Sequence, residues 1–234
     1  MNTAKIIIIA GLVVGLVACA TTRQASQGVK ESGFLGDYWQ LQKGQKGQAA
    51  LVYISPSANW AKYTKVQLVP VQLWKSDDPD SPLGRMDVAT QQRLIDLLHT
   101  AVADELKKDY LLVEQPCPDV LVIRGAITEA RHSKPVINLV SSTYPPLKVL
   151  NIGKELLTGT GIGVGVVTVE MEILDGQSQQ RLAAAVDRRS GTQALQSKFA
   201  GTWGDVKLSF DWWAERLRTR LAEERAGAAA KTEL

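Results

Sequence analysis

The chain has 234 residues, of which 45% are hydrophobic and 22% are charged. These values are typical of globular proteins and exclude a wholly disordered chain or a collagen-like repeat, and the length suits one large domain or two small ones. The formal net charge of +3 is too small to indicate nucleic-acid binding. Two cysteines and two histidines exclude a disulfide scaffold and a histidine-rich metal site.

The N-terminal segment has the pattern of an export signal. A short basic start is followed by thirteen uncharged residues, 6–18. Because a membrane-spanning helix needs about 17 to 25 apolar residues, this run predicts a signal peptide over residues 1–18 rather than a transmembrane anchor. The run ends in Leu-Val-Ala-Cys at residues 16–19, which resembles the bacterial lipobox.

The lipobox resemblance implies that Cys19 is a lipidation site, with diacylglycerol on its thiol and an acyl chain on its new amine. Ala20 follows the cysteine where Asp would retain a lipoprotein in the inner membrane. The resemblance therefore implies the outer membrane, with the protein facing the periplasm and anchored stably by its acyl chains. An ordinary secretory signal with an accidental cysteine is the alternative, since Ala18 alone permits cleavage.

The rest of the chain divides into three predicted segments. Residues 19–32 comprise the acylated cysteine and a polar tether, whose thirteen flexible residues would reach about 20 Å. Residues 33–226 are predicted to form a single periplasmic domain. Residues 227–234 are predicted to be a flexible tail.

The order of predicted elements indicates an α+β or α/β domain, with a mostly antiparallel mixed sheet of about four to five strands packed by two amphipathic helices. In chain order these elements are an irregular apolar segment at 32–41, a strand at 65–74 interrupted by Pro70, a helix at 90–108 capped by Thr90, a buried strand at 120–127, a hairpin of strands 167–173 and 182–186 that turns at Asp175-Gly176, and a helix at 205–226 capped by Asp205.

Two glutamates are the best candidates for acid–base chemistry. Glu170 and Glu172 share one face of a predicted strand, about 7 Å apart, a separation compatible with glycoside hydrolysis. The preferred interpretation is two solvated glutamates on an exposed sheet face. Arg124 interrupts the predicted buried strand and must reach solvent or a carboxylate.

Cys117 is the second candidate. If Cys19 is acylated, Cys117 has no intramolecular partner, and an unpaired cysteine in the oxidising periplasm is expected to be sheltered. A nucleophilic role would need a histidine base, and only His99 and His132 occur. We therefore expect a sterically sheltered, non-catalytic thiol.

Three further patterns have a structural and a functional interpretation. The glycine-rich run 159–165 fits neither a dinucleotide-binding nor a Walker A motif, so close approach of another backbone is preferred. Asp77, Asp78 and Asp80 lack the glycine and glutamate of a calcium loop, which favours a solvated loop. The aromatic residues expected to seal a core edge, with a sugar platform as the alternative, are Tyr53, Trp60 and Tyr63.

Several segments together resemble a bacterial lipoprotein family, domain of unknown function 3313. These are Ser32-Gly33-Phe34-Leu35-Gly36-Asp37-Tyr38, Tyr63-Thr64-Lys65-Val66 leading to Val69-Pro70-Val71, Pro118-Asp119-Val120-Leu121, and 169–175 followed by 182–188. The resemblance extends over about Ser32 to Leu221 and departs at Cys117 and Gly176. It implies an envelope lipoprotein without established activity, so no catalytic residues are carried over.

These observations favour a non-enzymatic outer-membrane lipoprotein that binds a protein or another envelope component. No cofactor, metal or nucleic-acid partner is expected. One alternative is a periplasmic enzyme acting on peptidoglycan or glycan through Glu170 and Glu172, or through Cys117. The other is an accessory protein for lipid transport, which would need an apolar cavity.

Overall fold

The structure is a computed structural model. It describes residues 23–24, 29–74, 81–132, 164–190 and 203–232. The predicted signal peptide, Cys19, the predicted acidic loop 77–80 and the glycine-rich run up to residue 163 lie outside the described residues.

One mixed sheet organises the described part of the chain. Its nine strands are β1 Arg23–Gln24, β2 Gln42–Lys43, β3 Leu51–Ile54, β4 Lys65–Leu68, β5 Gln72–Leu73, β6 Leu111–Leu112, β7 Val120–His132, β8 Val164–Asp175 and β9 Arg181–Ser190. The strand order is β2-β3-β9-β8-β7-β4-β6, with β1 pairing with β9 and β5 with β7. Helices α1 Val88–Leu106 and α2 Gly204–Thr232 and a short 3₁₀ helix, Trp60–Lys62, accompany the sheet.

The α+β class, the mixed sheet and the two main helices are confirmed. The sheet is larger than the four to five strands predicted. Four of its strands, β1, β2, β5 and β6, have two residues each. A two-residue strand is too short to show an alternating pattern in the sequence. Strands β4, β5 and β6 are the parallel members, and the pairs among β7, β8 and β9 are antiparallel.

The predicted hairpin is present as β8 and β9. Its turn needs glycine at residue 176, because a Cβ atom there would lie 2.4 Å from the Cys117 carbonyl oxygen. The preceding Asp175 carboxylate accepts hydrogen bonds from the backbone N–H groups of Gln177 and Ser178. The turn is therefore fixed both by local hydrogen bonds and by the neighbouring loop.

The strand predicted at 65–74 is two short strands. Pro70, which has no N–H to donate, separates β4 from β5, and both pair with β7 in parallel. The Val69 and Trp74 amides donate to carbonyls of β7. The proline therefore breaks the strand without detaching the segment from the sheet.

Both predicted helices are present with different ends. Helix α1 is capped by Asp87, whose carboxylate accepts from the Thr90 amide at 2.9 Å, so the prediction that Thr90 is the cap is wrong. Helix α2 runs to Thr232 and includes most of the predicted tail, because the alanines after Gly227 favour helix. In the part of the chain that the structure describes, no helix is long and apolar enough to span a membrane.

The two faces of the sheet are covered differently. Helices α1 and α2 cover the face that carries the main core, which includes Leu98, Ile123 and Phe210. The other face is covered by residues 29–41, named here the N-terminal strap, through buried Phe34 and Leu35. The predicted irregular apolar segment is thus confirmed.

Two residues of the segment predicted to be the tether, Arg23 and Gln24, form strand β1, which pairs with Arg189 and Ser190 of β9. Only residues 20–22 separate Cys19 from this strand.

Candidate functional site

An apolar groove lies between α2 and strands β3, β8 and β9, and it encloses a cavity of about 140 Å³. Residues that line this groove include Val52, Ile54, Val169, Met171, Ile173, Ala183, Ala185, Trp212, Leu217 and Leu221. Its volume is close to that of an engineered apolar cavity of about 150 Å³ that binds benzene. The groove can therefore accept an apolar group of at least ring size.

Small residues on β9 create the space. In the β8–β9 register Ala183 pairs with Ile173 and Ala185 with Met171. These positions line the groove under α2, whereas the intervening Ala184 packs under the strap. Alanine at 183 and 185 leaves volume that a larger side chain would fill.

Asp187 lies at one end of the groove, and both oxygens of its carboxylate accept hydrogen bonds. Its buried carboxylate accepts hydrogen bonds from Gln24 Nε2 at 2.8 Å, the Ala50 amide at 3.1 Å, Arg189 Nε at 3.0 Å and Trp213 Nε1 at 2.7 Å. These donors come from β1, the start of β3, β9 and α2. The carboxylate thus joins the N-terminus, the sheet and the helix at this end of the groove.

Two guanidinium groups flank Trp212 at the same end. The Arg189 Cζ atom lies 3.1 Å from the centroid of the Trp212 ring and the Arg216 Cζ atom 5.3 Å. Burial lowers the pKa of Arg189, whereas the Asp187 charge raises it. Among the described residues no carboxylate lies within ion-pair distance of Arg216. This end of the groove therefore presents a positive charge.

The far end of the groove differs in charge. Arg220 Nη1 forms an ion pair with Glu223 at 2.7 Å, and Glu224 lines the end of the groove. From Trp212 to Glu224 the helix rises about 18 Å at 1.5 Å per residue. The groove is thus elongated, with the Arg216 guanidinium, which has no carboxylate partner among the described residues, near one end and the Glu224 carboxylate at the other.

Strand β1 reaches the groove at its positive end. Gln24 Nε2 donates to the Gln48 carbonyl at 2.9 Å and to Asp187 at 2.8 Å, and both of these residues line the groove. Gln24 is five residues after Cys19, a span of at most about 18 Å for an extended chain.

Glu170 is not solvated, which corrects the sequence-based interpretation. It is 0% exposed because the strap covers its face of the sheet. Its carboxylate accepts from the Tyr38 hydroxyl at 2.5 Å and from the Ser32 amide at 3.2 Å. Burial raises the pKa of Glu170, partly offset by these hydrogen bonds.

Glu172 is also buried, at 4% exposed, and it binds two guanidinium groups. Arg124 Nη1 donates to one oxygen at 2.8 Å and Arg181 Nε to the other at 3.0 Å. Arg181 also donates to the carbonyls of Leu35 and Asp37 at 2.5 and 2.7 Å. The prediction that Arg124 reaches a carboxylate is confirmed, and the two glutamates hold the strap.

Cys117 is exposed, so the expectation of a sheltered thiol is wrong. It lies in the loop between β6 and β7, where its carbonyl accepts from the Val120 amide at 3.0 Å. His99 is half-buried on α1, and among the described residues its Nδ1 atom has no hydrogen-bond partner. Within the same ranges no three His, Cys, Asp or Glu side chains are grouped to hold a metal.

The aromatic residues Trp60 and Tyr63 are buried in the core, as the preferred interpretation predicted. The Tyr63 hydroxyl donates to Asp175 at 2.6 Å, and Lys62 pairs with the same carboxylate at 2.6 Å. Burial raises the pKa of Asp175, but donors from Lys62, Ser178 and Tyr63 outweigh it and hold the pKa well below its usual range. This cluster is a structural link between the 3₁₀ helix and the hairpin.

Sequence reasoning did not find the groove. Its only sequence signals are the alanines at alternate positions of β9 and the adjacent Trp212 and Trp213. Trp213 is buried and Trp212 is half-buried at the groove. The sequence predicts that the strap residues pack onto the domain. It does not predict that they cover the sheet face that carries Glu170.

The sequence model of the family described as protein of unknown function, DUF3313, matches residues 30–217, and the chain belongs to this family. No curated protein matches the chain.

Several solved structures are similar to the chain at low identity. A PelC dodecamer from Paraburkholderia phytofirmans is 15% identical, over 71% of this chain and 94% of that chain, with a TM-score of 0.37. The hypothetical protein CT253 from Chlamydia trachomatis is 11% identical, over 67% and 95%, with a TM-score of 0.34. Protein XCC0632 from Xanthomonas campestris is 10% identical, over 77% and 93%, with a TM-score of 0.33.

Proposed function

We propose that the protein is a non-enzymatic lipoprotein on the periplasmic face of the bacterial outer membrane that binds a protein or another envelope component in the groove. The observation that carries this proposal is the apolar cavity of about 140 Å³ between α2 and the sheet. Ligand sites are typically concave and mostly apolar, with a few placed polar groups. The groove has this composition, with Asp187, Arg216, Arg220 and Glu224 as its charged lining residues.

The anchor in this proposal is Cys19. The lipobox-like residues 16–19 support it, and so does the attachment of the chain to the sheet at Arg23. The four-residue span from Cys19 to Arg23 reaches at most about 14 Å. The domain would therefore stay close to the membrane surface, with the Asp187 end of the groove nearest to the anchor.

The alternative of a glycan-acting enzyme uses Glu170 and Glu172. All four of their carboxylate oxygens accept hydrogen bonds, from Ser32, Tyr38, Arg124 and Arg181. A substrate would have to displace the strap to reach them. We propose a structural role for both glutamates, which leaves binding as the better-supported function.

Cross-linking from inside the groove tests the proposal. A photoreactive residue replaces Leu217, which lines the groove, in the full-length protein expressed in the native bacterium. The matched control replaces Glu215, which is exposed on the same helix two residues away. We expect one defined species to be captured from position 217 and not from position 215.

A second variant makes this test specific. Ala185→Leu fills the groove from β9 and should abolish capture from position 217 while the protein remains folded by circular dichroism. Equal capture from positions 215 and 217, no capture, or capture that survives Ala185→Leu would each overturn the groove as the binding site.

The anchor is tested separately. Cys19→Ser removes the thiol that would carry the diacylglycerol, so we expect loss of labelling by radioactive palmitate and loss of the protein from the outer-membrane fraction. Cys117→Ser, which removes the other cysteine, is the control and should change neither. Retention of palmitate by Cys19→Ser would contradict the proposed anchor.

A further inference from the structure

We infer that the groove binds the acyl chain of a single-chain anionic amphiphile, with a carboxylate or phosphate headgroup at Arg216 and the chain directed toward Leu221. This inference rests on the proposed function, because it takes the groove as the binding site and names the class of ligand.

The lining selects an apolar ligand group. Val52 and Ile54 of β3, Met171 of β8 and Leu217 of α2 present carbon and sulfur atoms to the cavity. Such surfaces offer no hydrogen-bond partners, so they favour groups that lose nothing by leaving water.

The dimensions select a single chain. The groove follows α2 for about 18 Å from Trp212 to Glu224, which suits an extended chain. The enclosed part of the groove, about 140 Å³, has the volume that holds one benzene-sized group. It therefore has room for a segment of one chain, whose remainder would lie along the open part of the groove, and not for two chains side by side.

The charges of Arg216 and Glu224 favour an anionic headgroup and set its orientation in the groove. Arg216 lines the groove, and no described carboxylate pairs with it. Guanidinium groups match carboxylate and phosphate geometry through paired N–H donors. Glu224 at the opposite end disfavours the reverse orientation, because it would bring two negative charges together.

The position of the N-terminus favours a ligand from the adjacent membrane. Gln24 contacts Gln48 and Asp187 at the Arg216 end of the groove, and it follows the proposed anchor by five residues. The protein's own acyl chains would also be within reach. Once linked to Cys19 they carry no anionic headgroup, so they would leave Arg216 unpaired.

Photolabelling in vesicles tests this inference. The mature acylated protein is reconstituted into phosphatidylcholine vesicles that contain a diazirine-bearing dodecanoate, a phosphate-headed analogue or the methyl ester of the dodecanoate. Labelled peptides are then mapped by mass spectrometry. We expect the two anionic probes to label β9 and the 212–221 part of α2 about tenfold more than the ester does.

Charge variants separate headgroup recognition from partitioning. In Arg216→Gln the anionic probes should lose this advantage, while labelling by the ester stays unchanged. Lys207→Gln removes the same charge from α2 outside the groove, where Lys207 pairs with Asp211, and should label like wild type. Ala185→Leu should prevent labelling by all three probes.

Several results would overturn the inference. Equal labelling by the acid and the ester in wild type would show that the headgroup is not recognised. Groove labelling that appears only in Cys19→Ser would identify the protein's own acyl chain as the occupant. Absence of groove labelling together with capture of a protein from position 217 would leave the proposed function standing and refute the lipid ligand.

Discussion

Four buried carboxylates connect parts of the molecule that are distant in sequence. Glu170 binds the strap directly and Glu172 binds it through Arg181. Asp175 binds the 3₁₀ helix, and Asp187 joins β1, β9 and α2. Each is surrounded by donors, which offset the cost of burying a charge. Removing one of these carboxylates should therefore affect a specific junction rather than the whole surface.

For Asp175 we expect a stability effect that depends on pH. Its folded-state pKa lies below the usual value, so its contribution is present above the unfolded-state pKa and is lost as pH falls. Asp175→Asn should lower the free energy of unfolding by about 2 kcal/mol at pH 7. The difference from wild type should shrink below about pH 4, as measured by denaturant unfolding.

Asp119→Asn is the control for this prediction. Asp119 pairs with Lys65 at 2.9 Å, but both side chains are over a third exposed, and such pairs contribute little. A loss of stability in Asp119→Asn equal to that in Asp175→Asn would contradict a special role for the Asp175 cluster.

For Glu170 the expected pH dependence of stability is opposite to that for Asp175. Burial raises its folded-state pKa, so the folded state favours the proton and wild-type stability declines as pH rises through that pKa. Glu170→Gln removes this titration. We therefore expect the stability of the variant relative to wild type to rise between about pH 4 and pH 7. A relative stability that falls over this range in denaturant unfolding would contradict the burial of Glu170.

Among the elements, the strap is the one whose attachment depends most on side chains. The Tyr38 hydroxyl accepts from the amides of Gly33 and Leu35 at 3.0 and 3.3 Å while it donates to Glu170. The strap residues 34–41 contribute no strand to the sheet. Local opening of the strap should therefore depend on this hydroxyl group, together with the Arg181 hydrogen bonds to Leu35 and Asp37.

Tyr38→Phe tests this attachment. We expect amide hydrogen exchange at Gly33 and Leu35 to become about fivefold faster, since one hydrogen bond contributes about 1 kcal/mol. Amides in the centre of α1, such as Leu98, should keep their rates. Unchanged exchange at Gly33 and Leu35 would show that Phe34 and Leu35 packing alone holds the strap.

The longer elements could be predicted because their patterns repeat. The alternation at 167–173 and the helical spacing from Leu94 to Leu106 are set by local geometry. The N-cap of α1 was misplaced by three residues, because both Asp87 and Thr90 are residues that favour capping. The two-residue strands depend on pairing with distant partners, which no local pattern reveals.

The candidate site is harder to predict, because it too depends on contacts between residues that are distant in the sequence. Alternation placed Glu170 and Glu172 on the face opposite the main core, which is correct, but it cannot show that residues 29–41 cover that face. The groove depends on α2 lying across Ala183 and Ala185, a tertiary arrangement without a sequence motif. The exposure of Cys117 likewise follows from the position of its loop.

At the scale of the whole molecule, in the ranges that the structure describes, the helices and the strap leave one part of the sheet partly open. Helix α1 packs against α2 and near β5, and α2 packs on β8, so the helix-facing side of β9 and β3 is only partly covered. The groove lies there, and β1 pairs with the same strand, β9. Strand β1, the strap and the groove are therefore connected around the β8–β9 hairpin.

The central claim is that this groove is the binding site, and its methionine offers a direct test. Met171 lines the groove, whereas Met86 is buried in the main core, and the third methionine of the chain is Met1. The measurement is a titration of the mature protein in lipid nanodiscs with dodecanoate, followed by the ¹³C-methyl signals of methionine. We predict a saturable shift of the Met171 signal with the Met86 signal unchanged. An unshifted Met171 signal, or equal shifts of both signals, would contradict the account.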